Sequence, residues 1–324
     1  MTQITPTPKL VTIFGGSGFV GRHTVRALAK RGYRIRVACR RPNLAGHLQP
    51  LGNVGQIQAV QANLRNRASI DRVIQGSDHV INLVGILHEG GKQTFQSVQA
   101  FGARAVAEAA RAIGASLTHV SAIGADENSP AAYARTKAAG EKAVLETVPD
   151  AVILRPSIVF GPEDDFFNRF AEMSRFSPFL PLIGGGETKF QPVFVGDVAE
   201  AIARTVEGKV EGGRIYELGG PEVMTFRECM EEMLSAIDRK RAFISVPWFA
   251  ARLQGKLLGL LPNPMLTVDQ VEMLKADNVV SEAARSEGRT LQAFGIEPRA
   301  ADAILPGYLW RYRPAGQFTR KGAA

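Results

Sequence analysis

Leu10-Val11-Thr12-Ile13-Phe14-Gly15-Gly16-Ser17-Gly18-Phe19-Val20-Gly21 runs from five strand-forming residues through a glycine cluster into a helical pattern. Glycine is required at each of positions 15, 18 and 21 for a different reason: a tight turn, a backbone that must approach a ligand closely, and a helix start that packs against the strand before it. The first turn of such a helix presents backbone N–H groups and the positive end of the helix dipole, which favours a bound phosphate.

Outward from this stretch, apolar runs and helical patterns alternate. The pattern predicts strands at Leu10–Phe14, Arg34–Cys39, Gln56–Gln61, His79–Val84, Ser116–Ser121 and Ala151–Arg155. Helices are predicted at Phe19–Arg31, Arg67–Gln75, Thr94–Ile113 and Ala131–Thr147, and Gly32, Gly76 and Gly114 stop three of them. Strand–helix alternation is the signature of an α/β fold with a doubly wound parallel sheet of the Rossmann type. After Pro156 the pattern breaks at Gly161-Pro162, Pro178, Pro181 and Gly184-Gly185-Gly186, so residues 1–160 are expected to form the nucleotide-binding domain and 161–324 a smaller C-terminal lobe. Helix Asp197–Glu207 and strand Arg214–Gly219 are expected to return to the sheet, and a polar, basic, loose tail is expected from Tyr312.

Composition narrows the function. No apolar run approaches the length of a membrane span, and Met1–Pro8 lacks the apolar stretch of a secretory signal. Cys39 and Cys229 lie far apart without partner histidines, which points to a reducing compartment, no disulfide framework and no metal site. The net charge of +8 is unevenly placed: residues 1–70 hold eleven cations and no acid, and the remaining 254 residues balance at −3. The excess surrounds the glycine turn and is not interleaved with aromatics that stack bases, which argues against nucleic-acid binding.

Two further constellations carry chemistry. An NAD-binding chain places an acid about 20 residues past the glycines, on the adenosine ribose 2′-OH. This chain has Cys39-Arg40-Arg41 there, and a guanidinium pairs with a 2′-phosphate, so the expected cofactor is NADP(H). Tyr133-Ala-Arg-Thr-Lys137 puts a phenol and an ammonium on one helix face. The ammonium is expected to lower the phenol's pKa and to hold a nicotinamide ribose, which makes Tyr133 a candidate general acid/base.

With these motifs the chain resembles the short-chain dehydrogenase/reductase superfamily in its extended or atypical branch. Leu83-Val84-Gly85 and Arg155-Pro156-Ser157-Ile158-Val159-Phe160-Gly161-Pro162 extend the likeness. The resemblance implies a nucleotide lined by Gly15, Ser17, Gly18, Phe19, Val20, Gly21, Arg40, Arg41, Asn63, Leu64, Leu83, Val84, Gly85, Ser121, Tyr133, Lys137, Pro156, Ser157 and Ile158. It implies Tyr133, Lys137 and Ser121 as catalytic candidates. Active members carry a Ser or Thr near the end of the fifth strand to polarise a substrate carbonyl, and this chain has Ile123 at that place. Ser121 is read as a loop or cofactor contact.

The run from Leu154 to Phe170 and the block Gln191-Pro192-Val193-Phe194-Val195-Gly196-Asp197-Val198 are similar to the nucleotide-binding accessory subunit of respiratory complex I and its bacterial relatives. That resemblance implies tightly held NADPH beside a quinone-reducing assembly, complex I subunits or a quinone-related molecule as partners, and a cytoplasmic or peripheral position at the inner face of the respiratory membrane. Some relatives are linked to ubiquinone synthesis, which implies the alternative of an active NADP(H)-dependent reductase or epimerase-like enzyme. Asp197 is expected as a helix N-cap, and Phe166, Phe167 and Phe170 as core. The apolar stretch 246–262, with only Arg252 and Lys256 charged, has three roles open to it: membrane surface, partner docking, or closure of the pocket. Its low charge favours pocket or core.

Overall fold

The computed structural model describes residues 8–261 and 264–315. Seven strands form one sheet in which every neighbouring pair is parallel. Six of them are β1 (Leu10–Phe14), β2 (Arg34–Cys39), β3 (Ile57–Gln61), β4 (His79–Asn82), β5 (Ser116–Val120) and β6 (Val152–Pro156). With the strand Ile215–Leu218 the order is Ile215–Leu218, β6, β5, β4, β1, β2, β3. This is the doubly wound α/β sheet expected from the sequence. Every residue of β1 is buried, as a central strand covered on both faces requires.

Helix α1 (Phe19–Lys30) covers one face together with the helix Val195–Val206, and Arg31 joins them through Glu200 and Glu207. On the other face α2 (Arg67–Ile74) buries Ile70, Val73 and Ile74, and α3 (Phe101–Ala112) and α4 (Ala132–Thr147) bury alanine-rich stripes. The single helix expected over Thr94–Ile113 divides into a wide π-type turn, Gln96–Ala100, and α3. Chain order reverses where β4 returns beside β1, so the carboxyl ends of these two strands flank a crevice of the kind that holds ligands in such sheets.

Beyond β6, a second core gathers Phe160, Phe167, Leu180, Leu182, Phe226, Met230 and Met233. The parallel pair Phe179–Ile183 and Ala242–Val246 borders it. Phe166, Phe167 and Phe170 pack edge to face within this core, as expected. Three expectations fail. Asp197 sits inside the first turn, Phe194 occupies the N-cap, and the Asp197 carboxylate takes the Arg299 guanidinium at 2.8 Å, because an arginine brought from 102 residues away outcompetes a local cap. Tyr312 is buried with its hydroxyl donating to Asn168, so the tail is anchored at its start; residues past Ala315 lie outside the described chain, as do the first seven.

The stretch 246–262, whose last residue also lies outside the described chain, does not join the core. In its helix, Trp248–Leu258, only Ala251 and Gly255 are buried, while Phe249, Leu253 and Leu257 face outward. A Cβ on Gly255 would stand 2.9 Å from the Thr267 backbone carbon. The small-residue face approaches that backbone, Trp248 packs against Gly184, and Phe249, Leu253 and Leu257 are left outside.

Candidate functional site

The glycine turn is built by contacts that exclude side chains. Gly15 has φ +80°, and its would-be Cβ points at Leu83 and Val84 after β4. A Cβ on Gly21 would stand 2.3 Å from the Gly15 carbonyl oxygen and 2.6 Å from the Gly16 Cα, so the third glycine lets α1 start against the turn itself. A Cβ on Gly18 would meet only the Gly15 oxygen at 3.4 Å and otherwise open space. Gly18 is also the N-cap of α1; no side chain caps that end, and no acid sits in the first turn. The donor set is therefore suited to an anion.

Around this turn the predicted residues converge from the ends of the strands. Leu83 donates its N–H to the Phe14 carbonyl, which holds the segments after β1 and β4 side by side. Asn82 accepts the Val84 N–H and shapes the Leu83–Gly85 bend. Ser17 reaches Cys39 at the end of β2, next to Arg40 and Arg41. Both arginines are exposed, and Arg40 donates to the Gln93 side-chain carbonyl. Asn63 and Leu64 follow β3; Asn63 turns the chain by accepting the Arg65 N–H, and Leu64 is buried under Gly102. Phe19 and Val20 are half-buried in the first turn of α1, where the Phe19 ring meets His23 edge-on.

At the other end of the crevice, Lys137 is buried, donates to the Val120 carbonyl at 3.3 Å, and approaches Gly85 so closely that a Cβ there would be 3.3 Å from Nζ. Burial lowers its pKa to about 8. The expected depression of the Tyr133 phenol is not found: burial, with the Asp269 carboxylate adding to it, pushes it up to about 12. The Lys137 ammonium lies 5.9 Å from the centre of the phenol ring. Phe95 packs edge-on against the same ring.

Ser121 does not bond the loop through its side chain. Its hydroxyl is buried without a hydrogen-bond partner among the described residues, and so is His119 Nε2, whose ring burial holds at a pKa of about 3 and whose Nδ1 faces Asn82. A buried hydroxyl with nothing to bond is the kind of atom a ligand satisfies. Ile123 is fully engaged: its N–H donates to Pro156, its carbonyl accepts from Asn278, and its side chain packs with Val280 and Ala284. Ser157 is occupied too, donating to Asn278 and accepting the Gln191 N–H, whereas the Pro156 and Ile158 carbonyls hold the neighbouring chain segments in place.

Sequence reasoning missed two supports. Asp269 accepts the N–H groups of Ala132 and Tyr133 at 2.6 and 3.0 Å, and so caps the helix that carries Tyr133 and Lys137. Its local signal, the capping box Thr267–Gln270, marks only its own short helix. Glu141, one turn beyond Lys137, receives a two-pronged contact from Arg155 at 2.9 and 2.6 Å. The block 154–170 also acquires a role: Asp164 accepts the Gly161 and Asn168 N–H groups and the Tyr308 hydroxyl, which ties the loop after β6 to the C-terminal segment.

Among known proteins, residues 11–219 match the NAD dependent epimerase/dehydratase family. A mitochondrial NADH dehydrogenase [ubiquinone] 1 alpha subcomplex subunit 9 of Arabidopsis thaliana is 34% identical over 320 residues, 95% of this chain and 79% of the relative. A ceramide reductase of Caulobacter vibrioides is 34% identical over 242 residues, 74% of each chain. A crystal structure of an NADPH-dependent quinone oxidoreductase from Escherichia coli, complexed with NADPH, superposes with a TM-score of 0.70 at 20% identity, covering 92% of this chain and 98% of that one. Among the described residues no helix is long and apolar enough to cross a membrane. The glycine turn, the parallel sheet and these relatives together establish that the chain belongs to the NAD dependent epimerase/dehydratase family, as a homologue of the mitochondrial NADH dehydrogenase subunits.

Proposed function

We propose that the chain holds NADP(H) as a lasting structural ligand and associates with a quinone-reducing respiratory assembly; the names of its mitochondrial relatives call those proteins subunits of an NADH dehydrogenase [ubiquinone]. One observation carries the reading. At the place where a second donor to a substrate would be needed stands Ile123, with both backbone groups consumed and its side chain in a core. In this reading the glycine turn and α1 hold the pyrophosphate, and Arg40 and Arg41 hold the 2′-phosphate. Asn63, Leu64 and Leu83–Gly85 line the adenosine side, Lys137 and Tyr133 hold the nicotinamide ribose, and Ser121 and Pro156–Ile158 border the ring. Bound NADPH would supply a hydride. The division at residue 160 then separates a nucleotide-holding domain, to which the helix Val195–Val206 and the strand Ile215–Leu218 return, from a smaller C-terminal lobe.

Mass spectrometry of the ligand released from purified protein, followed by fluorescence titration, tests the cofactor. NADPH is expected to bind more tightly than NADH. The double variant Arg40→Ala/Arg41→Ala should weaken NADPH by roughly 10–150-fold, the equivalent of one lost charge-assisted hydrogen bond of about 1.5–3 kcal/mol, and leave NADH unchanged. Equal affinity of the native protein for both nucleotides refutes the 2′-phosphate assignment.

A second reading, an active reductase, is favoured by the intact Tyr133/Lys137 pair, the orphaned Ser121 hydroxyl and the ceramide reductase relative. Losing one donor at a developing oxyanion lowers turnover by roughly 10²–10³-fold. Accordingly, no appreciable NADPH oxidation is expected with quinones, ketones or sugar nucleotides. Tyr133→Phe should retain nucleotide, while Lys137→Ala should release it. Robust turnover abolished by Tyr133→Phe would establish the reductase in place of the structural role.

A further inference from the structure

The helix Trp248–Leu258 is amphipathic in the opposite sense to α1 to α4. Its inward face is Ala251 and Gly255; its outward stripe, at three- and four-residue spacing and continued just past the helix, is Phe249, Leu253, Leu257 and Leu260, which are 78%, 60%, 64% and 83% exposed. The stripe continues through Pro247 onto the strand pair beside it, where Ile244 and Phe179 are each 48% exposed. Monomeric proteins rarely leave a contiguous apolar patch of this kind uncovered.

Charge identifies what covers it. From Arg239 to Val268 the chain carries five cations, Arg239, Lys240, Arg241, Arg252 and Lys256, and not one acid. Lys240, Arg252 and Lys256 are exposed around the stripe, and Glu272 lies 3.9 Å from Arg252. Lysine is depleted from protein–protein interfaces. It is favoured at a lipid surface, where its stem lies along apolar groups and its ammonium meets anionic headgroups.

We infer that this face, the helix Trp248–Leu258 with the adjoining strand Ala242–Val246, docks on the surface of an anionic phospholipid bilayer. The apolar stripe enters the headgroup–acyl boundary, and the cations engage the phosphates. The helix lies on the membrane without crossing it, since it has 11 residues. Its buried side rests on Thr267, two residues before Asp269, so the docked face is joined by a short, directly packed path to the cap of α4 and to Tyr133.

Co-sedimentation of the whole protein with vesicles tests this, using phosphatidylcholine alone and phosphatidylcholine mixed with phosphatidylglycerol. Binding is expected to the mixed vesicles, to fall with added salt, and to be weak on neutral ones. Lys240→Gln/Lys256→Gln should reduce the partition coefficient on the order of 30-fold, from the contribution of two cations near an anionic surface. Leu253→Asp/Leu257→Asp should abolish binding while melting temperature and NADPH retention stay native, which separates this inference from the nucleotide reading. Failure to bind the mixed vesicles, equal and salt-independent binding to neutral ones, or undiminished binding by the Leu253→Asp/Leu257→Asp variant overturns it. So does a dimer in sedimentation velocity that the same variant dissociates, because a second copy would then be the occupant.

Discussion

Gly21→Ala is expected to destabilise the nucleotide-free protein by about 1–3 kcal/mol, the usual range for overpacking a rigid site, and to erase stabilisation by NADPH. The added Cβ would overlap the backbone of the turn, 2.3 Å from the Gly15 oxygen and 2.6 Å from the Gly16 Cα, so no side-chain rotation can relieve it. Either α1 shifts off the sheet or the turn opens, and each moves the N–H groups proposed to hold the nucleotide phosphates. In the native protein, nucleotide at 100 times its dissociation constant adds about 2.7 kcal/mol, read as a rise in melting temperature. The Gly21→Ala protein should show no such rise. Gly18→Ala is the informative partner. Its Cβ has room on the protein side and its φ of −82° suits alanine, so nucleotide-free stability should be native and only the NADPH-dependent rise should shrink. If Gly21→Ala melts and binds like the native protein, the turn is not held by the contacts described.

Arg155→Ala is expected to lower stability by about 3–5 kcal/mol, because it leaves a buried carboxylate without its cation. The Glu141 side chain is 4% exposed and receives two guanidinium contacts; Arg155 is 21% exposed and also lies 3.6 Å from Glu217. Glu217 keeps the Ser281 N–H in the variant, whereas the Glu141 carboxylate has no other hydrogen bond among the described residues. With an unfolding entropy of about 2.1 cal/mol/K per residue, the melting temperature should fall by roughly 4–7 °C. Replacing both members, Arg155→Met with Glu141→Leu, should recover most of the loss, since well-packed apolar groups substitute for a buried pair at little or no cost. A single-variant loss no larger than the ~1 kcal/mol of an exposed pair would contradict the buried reading. Glu141 lies one turn beyond Lys137 on α4, so NADPH retention is expected to weaken with the single variant and return with the double.

Much of the site was legible because its signals are local. Gly15, Gly18 and Gly21 each answer a requirement set within a few residues, and Tyr133 and Lys137 share a face by helical spacing alone. Arg40 and Arg41 stand at the end of β2, whose bounds follow from its own apolar pattern. What stayed hidden depended on partners from distant segments. The rise of the Tyr133 pKa to about 12 comes from burial and from Asp269, 136 positions away. Ser157 looked available as a ligand contact, and Asn278, 121 positions on, takes its hydroxyl. Asp197 had the composition of a cap, and Arg299 claims it instead.

The sequence by itself determined the parallel doubly wound sheet, the order of its first six strands along the chain, the glycine turn after β1 and the absence of an acid at the end of β2. Each follows from periodicity or from a backbone conformation that only glycine satisfies, and both act over a few residues. Only the tertiary structure decided which polar groups are spent on the fold and which remain for a ligand. It consumed Ser157 and both backbone groups of Ile123, and it left the Ser121 hydroxyl buried without a partner. It also turned Phe249, Leu253 and Leu257 of the helix Trp248–Leu258 outward. The physical reason is the same in each case: satisfaction of a polar group and burial of an apolar one are properties of the neighbours packing brings in, and those neighbours lie dozens to more than a hundred residues away along the chain.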